Sequence, residues 1–111
     1  MYEDIYIVGF SIDATLAWLC SEKSVSAVFV FYGSRIRQYL HIRPKVPTVV
    51  YFAEKEISFN PQIILVQLQQ KNQVYTHLVN KSHGYMNPFD KNFDKLAADK
   101  STNEIFTWIK L

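Results

Sequence analysis

Three polar positions, each just beyond an apolar run, carry side chains suited to acyl transfer: Ser11, the acid pair Glu54 and Glu56, and His83. A serine hydroxyl is a poor nucleophile until a base takes its proton, and an imidazole can act as that base. A buried carboxylate would fix the imidazole tautomer and stabilise the imidazolium as it forms. Ser11 sits in Gly9-Phe10-Ser11-Ile12-Asp13, between the apolar run Ile5–Val8 and a helical pattern. A strand–turn–helix of this kind lifts the serine oxygen above a sheet, and the backbone N–H of the next residue, Ile12, faces a developing oxyanion. Each residue also has an ordinary role. A serine there can cap a helix, a loop histidine can sit on the surface, and Glu54-Lys55-Glu56 can be a solvated turn. Their joint placement favours the catalytic reading.

The elements that must hold these groups follow from the apolar patterning. Four β-rich runs stand out: Ile5–Val8, Ala27–Tyr32, Thr48–Phe52 and Val74–Val79. The first three are nearly continuous apolar segments, which predicts strands buried on both faces of a parallel sheet. The fourth is more mixed and suits an edge. After Ser11, the spacing of Ile12, Leu16, Leu19 and Cys20 predicts one apolar helical stripe. Asn60-Pro61 opens a second helix with an N-cap and a proline at its first position, and Ile64, Leu65 and Leu68 form its buried face. A last helix carries Ile105, Phe106, Trp108, Ile109 and Leu111, and Ser101-Thr102-Asn103-Glu104 fits a capping box that would restart it near 101. Gly33 to Pro47 reads as loop with a short helix. The order β-α-β-loop-β-α-β-loop-α predicts an α/β fold with a parallel doubly wound sheet. In such sheets functional groups gather beyond the carboxyl ends of the strands, where Ser11, Glu54, Glu56 and His83 all fall.

Composition narrows the function classes. The 111 residues make one domain, and an apolar share of 49% is enough for a core. Twelve basic and ten acidic residues are dispersed, without the charge block of a nucleic-acid or membrane tail. Arg35, Arg37, Arg43 and Lys45 cluster around Tyr39 and His41, best read as a solvated loop. Cys20 is the single cysteine, so no internal disulfide forms, and its place in a helix suits a small apolar group. His41 and His77 lie away from the predicted site. No paired histidine spacing supports a metal, and three glycines make no phosphate loop. Without a charged start followed by a long apolar stretch, the expected location is cytoplasmic.

At these residues the chain resembles the dienelactone hydrolase family of the α/β-hydrolase fold. Gly9-Phe10-Ser11 with Leu16-Ala17-Trp18-Leu19 resembles its nucleophile strand and helix, and Phe31-Tyr32-Gly33 the end of its next strand. Pro44-Lys45-Val46-Pro47 and Tyr51-Phe52-Ala53-Glu54-Lys55-Glu56 are similar to the segment ending in its catalytic acid. Ser82-His83-Gly84-Tyr85 resembles its histidine loop. The serine–acid–histidine chain order is also that of the fold. The resemblance implies Ser11 as nucleophile, Glu56 as acid in place of aspartate, His83 as base and the Ile12 N–H as oxyanion donor. It further implies a small lactone or carboxylic ester substrate, with no metal or organic cofactor.

The resemblance covers the carboxyl-terminal half of a typical member, so an N-terminally truncated domain over 1–111 is expected. Its first strand would then offer an edge for self-association or for the missing N-terminal half. The family has Gly-Gly where this chain has Asp13-Ala14, which puts a negative charge beside the Ile12 N–H. The alternative to a working hydrolase is therefore a non-catalytic remnant, or one half of a split enzyme, acting as an assembly module. A flavodoxin-like receiver or nucleotide-binding domain shares the alternation but lacks an acidic cluster after the first strand, and ranks last.

Overall fold

Nearly continuous apolar runs on two central strands set the architecture, because each such strand must bury both of its faces. The computed structural model describes residues 4–56 and 59–109. Its strands β1 (Tyr6–Phe10), β2 (Ala27–Phe31), β3 (Thr48–Ala53) and β4 (Val74–Val79) form a parallel sheet in the order β1-β2-β3-β4. Every residue of β2 and β3 is buried. Helices α1 (Ile12–Cys20) and α2 (Pro61–Gln69), with a 3-10 turn over Ser34–Gln38, cross between strands on one face. Helix α3 (Lys95–Ile109) covers the other. The α/β class and the helix-covered parallel sheet match the reading of the sequence. The coverage is uneven, since all three crossovers share one face.

The two faces differ in chemistry. On the crossover face, Val28, Val30, Val50 and Phe52 pack against Ala14, Ala17 and Trp18 of α1, Ile36 of the 3-10 turn, and Ile64, Leu65 and Leu68 of α2. Trp18 is fully buried and donates its indole N–H to the Tyr39 carbonyl at 2.9 Å. On the α3 face, one residue from each strand stands in register: Phe10, Phe31, Tyr51 and His77. Their rings stack at 4.9, 4.6 and 4.7 Å, within 16° of parallel. This spacing is that of the strands themselves, so the sheet register builds the stack.

Three expectations are corrected. The stripe on α1 is turned: Ile12 and Leu16 are 70% and 59% exposed, and the small residues Ala14 and Ala17 face the sheet with Trp18. The cause is the close approach of α1 to Gly9, where a Cβ would collide with the Asp13 carbonyl oxygen and lie 2.9 Å from the Ala14 Cα. Only small side chains fit under so tight a crossing. Next, α3 does not restart near residue 101 but runs unbroken to Ile109. Ser101 and Glu104 instead turn their polar groups to the sheet side, where the Ser101 hydroxyl meets the Tyr85 hydroxyl at 3.0 Å and the Glu104 carboxylate accepts from the Tyr51 hydroxyl at 2.9 Å. The helix start is made by Asp94, whose carboxylate accepts from the Ala97 N–H at 3.0 Å.

The first strand, in turn, begins one residue later than expected and reaches Phe10, and as an edge it is half-exposed rather than buried on both faces. The mixed run Val74–Val79 is the opposite edge strand, as its composition indicated. Helix α2 keeps its expected face, and the Asn60 side chain accepts from the Gln62 N–H at 3.0 Å. Leu111 and Ile57 lie outside the described residues. Among the described residues no helix is long and apolar enough to cross a membrane.

Candidate active site

The site is built where β1 ends and α1 begins. Ser11 takes φ 58° and ψ −118°, a region that side-chain-bearing residues rarely enter. Two backbone hydrogen bonds hold it there: its N–H donates to the Phe31 carbonyl at 2.9 Å, and its carbonyl accepts from the Ala14 N–H at 3.1 Å. The side chain does not cap α1, although it occupies the N-cap position. The hydroxyl instead lies 3.0 Å from His83 Nε2. The ordinary role considered for this serine is therefore not the one its side chain takes up.

His83 comes from the loop after β4. Its Nδ1 lies 2.7 Å from Glu56 Oε1, and the Glu56 carboxylate is 5% exposed against 38% for the imidazole. Serine oxygen, both ring nitrogens and a buried carboxylate thus form one continuous line. The carboxylate end is shielded from water and the serine end faces a cleft. Glutamate reaches the ring from the turn after β3 despite its extra methylene. Glu54, the other acid of the run, is exposed and binds back through its own N–H to the Val79 carbonyl at 2.7 Å. Its side chain belongs to the solvent.

The histidine loop is braced in two ways. Gly84 has φ 91°, and a Cβ there would run into the Asp90 carboxylate, so the loop folds back on itself only because this position has no side chain. The Asn92 side-chain amide donates to the His83 carbonyl at 3.1 Å. The Tyr32 ring lies 4.5 Å from the imidazole and 5.8 Å from the Tyr85 ring. Tyr32 has φ 41° and is buried, and its hydroxyl is pushed up to about 12, chiefly by burial. Tyr85 is raised to about 12 for the same leading reason. Both therefore stay neutral and keep their protons across the physiological range.

A cleft of about 520 Å³ opens over Ser11 and His83, walled by Phe10, Tyr32, Gly84, Met86, Asn87, Pro88 and Asp90. Its size suits a small organic ligand. Ile12 begins α1, so its N–H is among the helix's first, pointing out of the element beside Ser11. Asp13 follows it as an exposed acidic residue of the first turn. His77 lies in the ring stack, apart from the cleft, and His41 is exposed beside Tyr39. Cys20 is half-buried. No group of three or more metal-ligating side chains occurs among the described residues.

Sequence reasoning missed Tyr32 and Asp90 as parts of the site. Tyr32 had a signal, since it closes an apolar strand just before Gly33. For Asp90, only the return of its loop onto Gly84 reveals its place.

Comparison with known proteins places this geometry in context. The family model described as "Dienelactone hydrolase family" matches residues 1–111. The chain is 38% identical over 106 residues to the uncharacterised protein YczH of Bacillus subtilis (strain 168), covering 91% of this chain and 52% of that one. Among solved structures, a candidate dienelactone hydrolase from Klebsiella pneumoniae superposes with a TM-score of 0.78 at 13% identity, covering 93% of this chain and 50% of that one. An esterase from Thermogutta terrifontis, solved with propionate bound, gives 0.66 at 16% identity, over 95% and 56% of the two chains. At these identities the structures share the fold. The chain spans about half the length of the relatives it matches.

Proposed function

Because the chain belongs to the dienelactone hydrolase family, we propose that it hydrolyses small lactones or carboxylic esters through Ser11, His83 and Glu56. The observation that carries this is the unbroken line from the Ser11 oxygen through His83 to the buried Glu56 carboxylate, at 3.0 and 2.7 Å. His83 Nε2 takes the hydroxyl proton as Ser11 attacks the carbonyl carbon. Glu56 holds the Nδ1 proton and steadies the imidazolium. The Ile12 N–H receives the oxyanion. Collapse of the tetrahedral adduct passes the His83 proton to the leaving alkoxide. Water, activated by the same imidazole, then releases the acid and restores Ser11.

A second reading has its own support. Ile5, Val8 and Phe10 at the β1 edge, and Ile12 and Leu16 on α1, are large apolar side chains left exposed. An open apolar edge strand is a template for pairing. Together with the half-length match to relatives, this favours the carboxyl-terminal half of a hydrolase that meets its other half, or a second copy, along β1. A second oxyanion donor would arrive with that partner. Without it, losing one of two donors costs a factor of about 10²–10³ in rate.

Reaction of the purified chain with a fluorophosphonate tests the first reading. Covalent labelling that disappears in both Ser11→Ala and His83→Ala is the expected result. A folded wild-type chain that takes no label would leave the assembly reading standing.

A further inference from the structure

The cleft wall is unusual in charge. None of its lining residues is a lysine or arginine, and one of them, Asp90, is a carboxylate. The nearby Lys81 is engaged by Asp94 at 2.8 Å. Off the wall, Glu56 stands behind His83, and Asp13 is an exposed residue one position beyond Ile12. Among the described residues, Asp90 is thus the one acidic side chain on the wall, with no lysine or arginine beside it. The rest of the wall is ring faces and soft apolar surface from Phe10, Tyr32, Met86 and Pro88, together with the neutral amide of Asn87, Gly84 and the Ser11 and His83 side chains.

We propose that this cleft selects its ester by charge, favouring a substrate that carries an ammonium group over a neutral isostere, and rejecting one that carries a carboxylate, with Asp90 as the selecting residue. This rests on the reading of Ser11 as nucleophile. An ammonium head gains from the Asp90 carboxylate and from the aromatic faces of Phe10 and Tyr32, which attract cations through their quadrupoles. A carboxylate head meets like charge, and no lysine or arginine on this wall pairs with it. Asp90 is well placed to act without moving. Its backbone N–H donates to the Asn87 carbonyl at 3.0 Å, and its Oδ1 accepts from the Asn92 N–H at 2.8 Å.

Binding tests this apart from turnover. The Ser11→Ala chain would be titrated with three unhydrolysable acetamides of similar size, bearing a trimethylammonioethyl, a 3,3-dimethylbutyl or a carboxyethyl group, and followed by the NMR signal of the Met86 methyl. At low salt the cation should bind about fivefold or more tighter than the neutral isostere, and the anion weaker again by a similar factor. High salt should compress both ratios. Asp90→Asn, which keeps the Oδ1 acceptor, should abolish the preference for the cation, and Asn87→Lys on the exposed rim should favour the anion. Equal affinities, tighter anion binding, no binding by any of the three, or an Asp90→Asn ratio equal to the parent's would each overturn the proposal. Charge-ordered binding in a chain that takes no fluorophosphonate label would instead leave it intact and remove the hydrolase reading.

Discussion

The two faces of the sheet hold the molecule together by different means. The crossover face is a fit of volumes, in which valines, alanines and Trp18 interlock with polar contact confined to the indole N–H and the helix ends. The α3 face is aromatic and satisfied by hydroxyl partners: Tyr51 with Glu104, Tyr85 with Ser101, and the four-ring stack across all strands. The first face answers to size alone. The second answers to size, hydrogen bonding and pH, and it runs on through Tyr85 and Tyr32 to His83. The faces should therefore fail differently, and the reacting residues should be separable from both.

The largest effect expected belongs to the site. Ser11→Ala should abolish hydrolysis by a factor of about 10⁴ or more in kcat, and Glu56→Gln should cost up to about 10⁴, because an amide can leave His83 in place yet hold the tautomer that cannot take the serine proton. Neither change touches a core face, so thermal unfolding should stay within a few degrees of the parent. An equal loss of activity and of folding would show that the site cannot be separated from the packing.

How far the sequence revealed this site follows from which interactions are local. Ser11 and His83 were legible because a strand end, a turn glycine and a loop fix them within a few residues of chain. Glu56 stood out from Glu54 through the resemblance, whereas spacing alone offered both. The α1 stripe misled because Ile12 and Leu16 have helical spacing, yet the face that packs is chosen by the close crossing at Gly9, which favours alanine. The Ser101–Glu104 pattern misled for a related reason: its serine and glutamate are polar because two tyrosine hydroxyls, far away in sequence, need partners. Long-range demands of that kind leave no periodic trace.

The next effect breaks the crossover face. Trp18→Ala removes a fully buried indole and one of the two hydrogen bonds to the Tyr39 carbonyl, which keeps the Ile42 N–H, and should cost about 3–5 kcal/mol. Set against a typical total of about 5–15 kcal/mol, this is a large share for a chain of this size. Urea titration followed by circular dichroism would measure it as a shift in midpoint. A loss below about 1 kcal/mol would mean that α1 closes over the gap.

Alkaline pH should loosen the α3 face while leaving the crossover face unaffected. Tyr32 and Tyr85 are raised to about 12, and Tyr51 is raised as well, by burial first and by the Glu104 carboxylate second. The folded chain therefore keeps these protons after the unfolded chain, with phenols near 10, has begun to release them. The stability they contribute is complete below about pH 10 and is lost as pH climbs toward 12. The slope approaches about 1.4 kcal/mol per pH unit for each group involved. Melts between pH 9 and 12, read alongside tyrosinate absorbance, should show ionisation coinciding with unfolding. Tyr51→Phe should flatten the dependence, and ionisation well before unfolding would mean that the phenols are open to solvent.

The smallest effect concerns Asp13, which touches neither face. Its carboxylate lies one residue beyond the Ile12 N–H and opposes the negative charge that gathers on the substrate oxygen during attack. The residue is exposed, so water screens the opposition, and Asp13→Asn should raise kcat only a few-fold, with KM for a neutral ester little changed. The same carboxylate favours the start of α1 through the helix dipole, so the variant should lose about 0.3–1 kcal/mol of stability. Asp13→Gly should gain a similar rate and lose more stability, since glycine inside a helix costs about 1 kcal/mol relative to alanine. A rise in rate against a fall in stability is the pattern expected of a residue that hinders a working oxyanion donor. Lost stability with no gain in rate would favour the assembly reading, in which the chain by itself forms no oxyanion at the Ile12 N–H.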